Sequence, residues 1–184
     1  MPNWAWGTIE VTGRKDAVLA FSRRFIMDDE PVTIDGTRYF ARTFTNETRE
    51  YIEGMILKEF KGHKADEEIT CEISADFAWS AYSCVLDGYP QEAPEICITL
   101  PESCVRDSVD VTIVTKEPGI SFAERITCDR RGKVHSECKD LIPMRCKNCG
   151  SIESMSPYED PEDMCCDNCG EMDFESMQEG EKNA

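Results

Sequence analysis

Residues 71–79 read Cys71-Glu72-Ile73-Ser74-Ala75-Asp76-Phe77-Ala78-Trp79. Cys71, Ile73, Ala75, Phe77 and Trp79 alternate with polar or small side chains, the mark of a long strand with one buried face. On this reading Trp79 belongs to the core. Upstream, Thr8-Ile9-Glu10-Val11-Thr12 repeats the alternation and breaks at Gly13, giving a second strand. Between these strands the period changes. Asp16–Ile26 places Val18, Leu19, Phe21 and Phe25 on one helical side, and Glu47–Lys61 does the same with Ile52, Met55, Ile56 and Phe60. Asn46 stands where a cap is needed for the second helix, and Gly62 ends it. Val32-Thr-Ile34 and Thr37-Arg-Tyr-Phe40 flank Asp35-Gly36, a two-residue hairpin signal.

Downstream, a Pro- and Gly-containing stretch from Gly88 to Pro94 leads to a short helix over Pro101–Ser108. Val111 and Ile113 mark another strand, which ends in the turn Lys116-Glu-Pro-Gly119. Ser121–Cys128 and Lys133–Cys138 pair across Asp129-Arg-Arg-Gly132. Strands and helices in this proportion predict an α+β domain with a mostly antiparallel sheet and helices on one face.

The composition changes near Leu141–Arg145. From Cys146 onward there are eleven acidic side chains against Lys147 and Lys182. This segment holds Cys146-Lys-Asn-Cys149-Gly150 and Cys166-Asp-Asn-Cys169-Gly170, two matching knuckles with sixteen residues between Cys149 and Cys166. Two thiolate pairs at that spacing close around one tetrahedral Zn²⁺. The glycine after each second cysteine permits the positive φ of such a turn. Cys146, Cys149, Cys166 and Cys169 are therefore the expected ligands of one structural zinc. Cys165 adjoins Cys166 and is the rival ligand, and a redox dithiol is the alternative use of the same residues. A segment so short and polar has no adequate core without a metal staple. The expected organisation is an α+β domain over 1–144, a zinc ribbon over 145–174 and an acidic, disordered tail over 175–184.

The chain has 184 residues, 37 of them acidic and 20 basic, for a formal charge of −17. Duplex binders present a basic face to phosphates. Here there is no basic run, so direct duplex DNA binding is not expected. No apolar run approaches the roughly 20 residues that cross a membrane, and the N-terminal residues lack the basic and apolar regions of a signal peptide. With four of the eleven cysteines assigned to metal, an odd seven remain without disulfide-framework spacing. A reducing cytoplasm is the expected location.

Asn3-Trp4 with Gly7-Thr8-Ile9-Glu10-Val11-Thr12-Gly13, then Phe77-Ala78-Trp79-Ser80, then Glu117-Pro118-Gly119-Ile-Ser-Phe122-Ala-Glu124, occur in this order. Together they resemble the YubB-type ferredoxin-like family of phage, prophage and plasmid proteins, over roughly residues 1–140. The resemblance implies a ferredoxin-like sheet and a mobile-element setting, with no assigned activity. The helix at about 46–62 reads as an insertion into that fold. Members often carry cysteine where this chain has Ala5 and histidine where it has Arg125.

Other chemistry is sparse. Cys128, His135 and Cys138 lie around one hairpin, and ordinary strand alternation is the favoured reading of them. A second metal cluster, with Cys128 facing His135, is the minor alternative. His63, beside the helix-ending Gly62, reads as solvated, and Asp28-Asp29-Glu30 as a solvated turn rather than a Mg²⁺ site. Trp4 and Trp6 stand at a strand entrance, suited to packing or to a contact surface. No phosphate loop, nucleophile elbow or zinc-protease motif occurs, and two histidines limit acid–base chemistry. The expectation is a non-enzymatic module that binds a host or phage protein. The alternative is an acidic decoy occupying the basic groove of a nucleic-acid-binding protein. Tyr158 and Phe174 offer a third, weaker option of stacking single-stranded nucleic acid.

Overall fold

Alternation and helical period become elements of an α+β chain in the computed structural model, which describes residues 3–25, 38–40, 42–45, 47–86 and 97–177. In order they are β1 (Trp4–Arg14), α1 (Lys15–Phe25), β2 (Arg38–Tyr39), β3 (Thr43–Phe44) and α2 (Arg49–Glu59). Next come β4 (Glu68–Ala78), α3 (Ala81–Val85), β5 (Cys97–Ile98), α4 (Leu100–Asp107) and β6 (Asp110–Glu117). The last are β7 (Phe122–Cys128), β8 (Val134–Asp140), β9 (Ile142–Cys146), β10 (Ile152–Met155) and β11 (Phe174–Ser176).

The main sheet has the order β3-β4-β1-β6-β7-β8, and every pairing in it is antiparallel. β1 is flanked by β4 and β6, each reached from its predecessor through helices. Residues of one parity, among them Ile9 and Val11 of β1, Ile73 and Phe77 of β4, and Ile113 of β6, join a single core with the helices. The helices contribute Val18, Phe21, Phe25, Ile52, Ile56 and Leu100. Complete burial of a side chain such as Phe21 or Phe77 contributes about 1.5–3 kcal/mol. The opposite parity faces away, and Trp4 and Trp6 lie there, 42% and 45% exposed. At Gly7 the strands leave no room for a side chain: an added Cβ would sit 1.9 Å from the Val114 carbonyl oxygen.

Several expectations shift. Thr48, not Asn46, caps α2: its hydroxyl accepts the Tyr51 N–H at 3.2 Å. Asn46 itself lies outside the described residues, as do Ile26, the acidic run at 28–30 and the hairpin turn at Asp35-Gly36. β2 pairs in parallel with β5. In α4 the Glu102 carboxylate accepts both the N–H and the hydroxyl of Thr99 at 2.8 Å, closing the helix start one residue earlier than expected.

Trp79 is a correction. It falls just past β4 at φ 76°, which breaks the pleat, and it is 47% exposed rather than core. The register of the β7–β8 hairpin is another. Thr127 stands opposite His135 and Cys128 opposite Val134, so Cys128 and His135 point to opposite faces. Cys128 is buried, while His135 is exposed and 3.1 Å from Glu137. The alternative of a second cluster is not met, and the strand alternation holds.

The three blocks of the resemblance meet at one end of the sheet. The Asn3 carbonyl accepts the Trp79 N–H at 2.8 Å. Glu117 accepts the N–H groups of Gly119 and Ile120 and so ties its own turn. Glu124, from β7, accepts the N–H of Ala81 at 2.7 Å and of Tyr82 at 3.4 Å, at the start of α3.

Candidate metal centre

Strands β9, β10 and β11 form a three-stranded sheet in the order β10-β9-β11. It starts at Ile142, before the expected boundary, and includes Glu175, which pairs with Arg145 across the β9–β11 ladder. Cys146 ends β9, and its knuckle turns at once into β10. The Gly150 N–H donates to the Cys146 carbonyl at 2.9 Å, and the Cys146 N–H donates to the Ser151 carbonyl at 2.9 Å. The second knuckle repeats this: Gly170 to Cys166 at 2.8 Å, Cys166 to Glu171 at 2.9 Å. Gly150 and Gly170 adopt φ 76° and 75°, a left-handed turn that costs glycine nothing.

The two turns bring Cys146, Cys149, Cys166 and Cys169 together, with all four Sγ atoms within 4.8 Å of one another. Cys146 and Cys169 are 3.6 Å apart at sulfur, as are Cys149 and Cys166. A tetrahedral ion with metal–sulfur bonds of about 2.3 Å spaces its thiolates about 3.8 Å apart, so the set fits a metal. Cys146 and Cys166 are buried, whereas Cys149 and Cys169 are exposed. Cys165 is not in the set: it is exposed, with its Sγ toward the Gly170 carbonyl at 3.5 Å. This is the only group of three or more metal-binding side chains among the described residues.

Two polar neighbours went unnoticed in the sequence. The Ser151 hydroxyl lies 3.1 Å from the Cys149 Sγ and 3.0 Å from the Cys166 Sγ. Its hydrogen bond, with a second from the Asn168 side chain, draws the Cys149 thiol down to about 5. The Glu153 carboxylate sits 3.6 Å from the Cys166 Sγ and accepts the Asp167 N–H at 3.3 Å. Core cysteines behave differently. Burial pushes Cys71 up to about 11 and Cys84 up to about 12, so they stay protonated and act as small hydrophobes.

The small sheet is moored to the exposed face of the large one. Lys116 of β6 reaches the Glu159 carboxylate at 2.9 Å, and Lys139 of β8 stands 4.9 Å over the Tyr158 ring. His63 is exposed and pairs with Glu67 at 3.1 Å. No described helix is long and apolar enough to cross a membrane.

Comparison with protein-family models, with curated proteins and with solved structures returns no match to the chain.

Proposed function

We propose that the chain is a non-catalytic binding module of a phage or other mobile element, in which a zinc ribbon is held against a ferredoxin-like platform. The observation that carries the reading is the convergence of four thiols on one point. Thiols alone favour Zn²⁺ among the available divalent ions, and four thiolates fill its coordination sphere, leaving no position for a substrate or an activated water. The metal then supplies folding energy rather than chemistry. The platform reading draws support from the order β3-β4-β1-β6, with two antiparallel neighbours reached through helices on either side of β1. On this view β7 and β8 extend that sheet by hairpins. The partner is a host or phage protein met in the cytoplasm of the host cell.

The test compares intact protein with a Cys146→Ser/Cys149→Ser variant in affinity capture from host lysate, after the variant's α+β domain is shown to remain folded. A protein captured only by the intact chain places recognition on the ribbon. Equal capture moves recognition to the large sheet. Capture of nothing specific by either sinks the module reading.

A second reading, an acidic decoy for a nucleic-acid-binding protein, is favoured by the ribbon's exposed carboxylates Asp160, Glu162, Asp163, Asp167, Glu171 and Asp173. It requires partner binding that falls steeply with salt. Salt-insensitive binding rules it out.

A further inference from the structure

Where the small sheet leans on the large one, a groove of about 500 Å³ opens between them. We propose that this groove is the docking site for an arginine-bearing basic segment of the partner protein. The inference rests on the binding-module reading and names the partner's chemistry.

The groove has an apolar floor and an acidic wall. Trp6, Pro118, Ile152 and Met164 supply apolar surface, with Trp6 45% and Ile152 60% exposed. Trp4, on the same face of β1 but outside the groove lining, packs edge-on against Phe44 at 5.4 Å. The wall carries Glu153, Glu159, Asp160, Asp163 and Asp167, against Lys116 as the only cation in the lining.

The groove already shows what it accepts. The Lys116 ammonium rests 4.5 Å from the Trp6 ring centre while it pairs with Glu159 at 2.9 Å. A ring face and a carboxylate thus hold one cation between them. That pair uses one carboxylate. Among the described residues no cation pairs with Asp160, Asp163 or Asp167, whereas Asp173 and Glu175, away from the groove, pair with Lys147 and Arg145. Unbalanced charge is therefore left along an apolar floor. The wall carboxylates do not converge into a metal-binding group, so spread-out cations on a chain suit them better than one ion. Arginine suits both surfaces, because its planar guanidinium stacks on an indole and pairs bidentately with carboxylates.

The test measures anisotropy of a fluorescein-labelled peptide in which arginine alternates with leucine, with a glutamate–leucine peptide as control. The intact zinc-loaded protein is compared with Asp160→Asn/Asp163→Asn and with Trp6→Ala. Glu50→Gln/Glu59→Gln on α2 removes the same charge outside the groove lining. The expected result is at least a tenfold loss of affinity for each groove variant and less than a twofold change for the α2 variant. Equal weakening by the two charge-removing variants, or no binding of the arginine peptide, overturns the groove. Lysate capture separates the two failures. A partner still held by Asp160→Asn/Asp163→Asn leaves the module reading intact, whereas no partner for the wild-type chain removes both.

Discussion

The Glu124 carboxylate accepts the Ala81 N–H at 2.7 Å, so a strand side chain satisfies the start of a helix that lies 43 residues earlier. Glu124 is only 7% exposed, and burial holds its carboxyl above the ordinary carboxylate range despite these hydrogen bonds. The contact joins β7, α3 and the end of β4. It also places Trp79 and Ser80 at the corner where the chain leaves the sheet.

Glu124→Ala leaves two inward N–H groups without their acceptor and is expected to cost about 1–3 kcal/mol in urea unfolding. Glu124→Gln keeps a carbonyl acceptor and should cost less. The sign of the pH effect follows from the raised value. The folded state binds the Glu124 proton more tightly than the unfolded state, so wild type gains stability relative to Glu124→Gln as pH falls toward the ordinary carboxylate range. A constant difference between the two proteins from neutral pH downward would show that the carboxyl is not held high.

Metal content should follow the geometry of the sulfurs rather than their crowding in sequence. Wild type and Cys165→Ser are each expected to hold about one zinc per chain by elemental analysis. Cys166→Ser should lose most of it. Equal metal in the two single variants would mean that Cys165 substitutes for its neighbour. Chelation of the metal should expose the chain beyond residue 146 to protease and leave the α+β domain intact.

Gly7→Ala meets backbone rather than a movable side chain, since its Cβ would lie 1.9 Å from the Val114 oxygen. A destabilisation of at least about 3 kcal/mol is expected, lowering Tm by roughly 10 °C. A change under about 1 kcal/mol would mean that β1 and β6 are less closely apposed than they are here.

The three tryptophans should all report solvent. Trp4, Trp6 and Trp79 are 42%, 45% and 47% exposed. Native emission should therefore be red-shifted, and acrylamide should quench nearly all of it. A blue-shifted, quench-resistant fraction that disappears in Trp79→Phe would return Trp79 to the core.

Much of this was legible in local pattern. The alternation in β1, β4 and β6 and the helical stripes of α1 and α2 lie close to where the period places them. Both knuckles turn at their glycines as their spacing requires. The misreadings share one cause. Trp79 continues the alternation in sequence, yet a positive φ takes it off the pleat. Cys128 and His135 look like partners only if the hairpin loop has the right length, and a one-residue change of register sends them to opposite faces. A turn's exact length and the φ of a strand-end residue are settled by what packs around them.

By itself, then, the sequence determined the α+β class, the positions of the main strands and helices, and the four cysteines that belong together. Period and spacing are local, and each of these follows from neighbours along the chain. The tertiary structure alone decided that β1 lies between β4 and β6 and that Glu124 serves a helix start 43 residues away. It also set Trp6 and Lys116 against Glu159 to form a groove. Those relationships join residues far apart in sequence, and only the packing of one sheet face against helices and of the other against the small sheet brings them within reach.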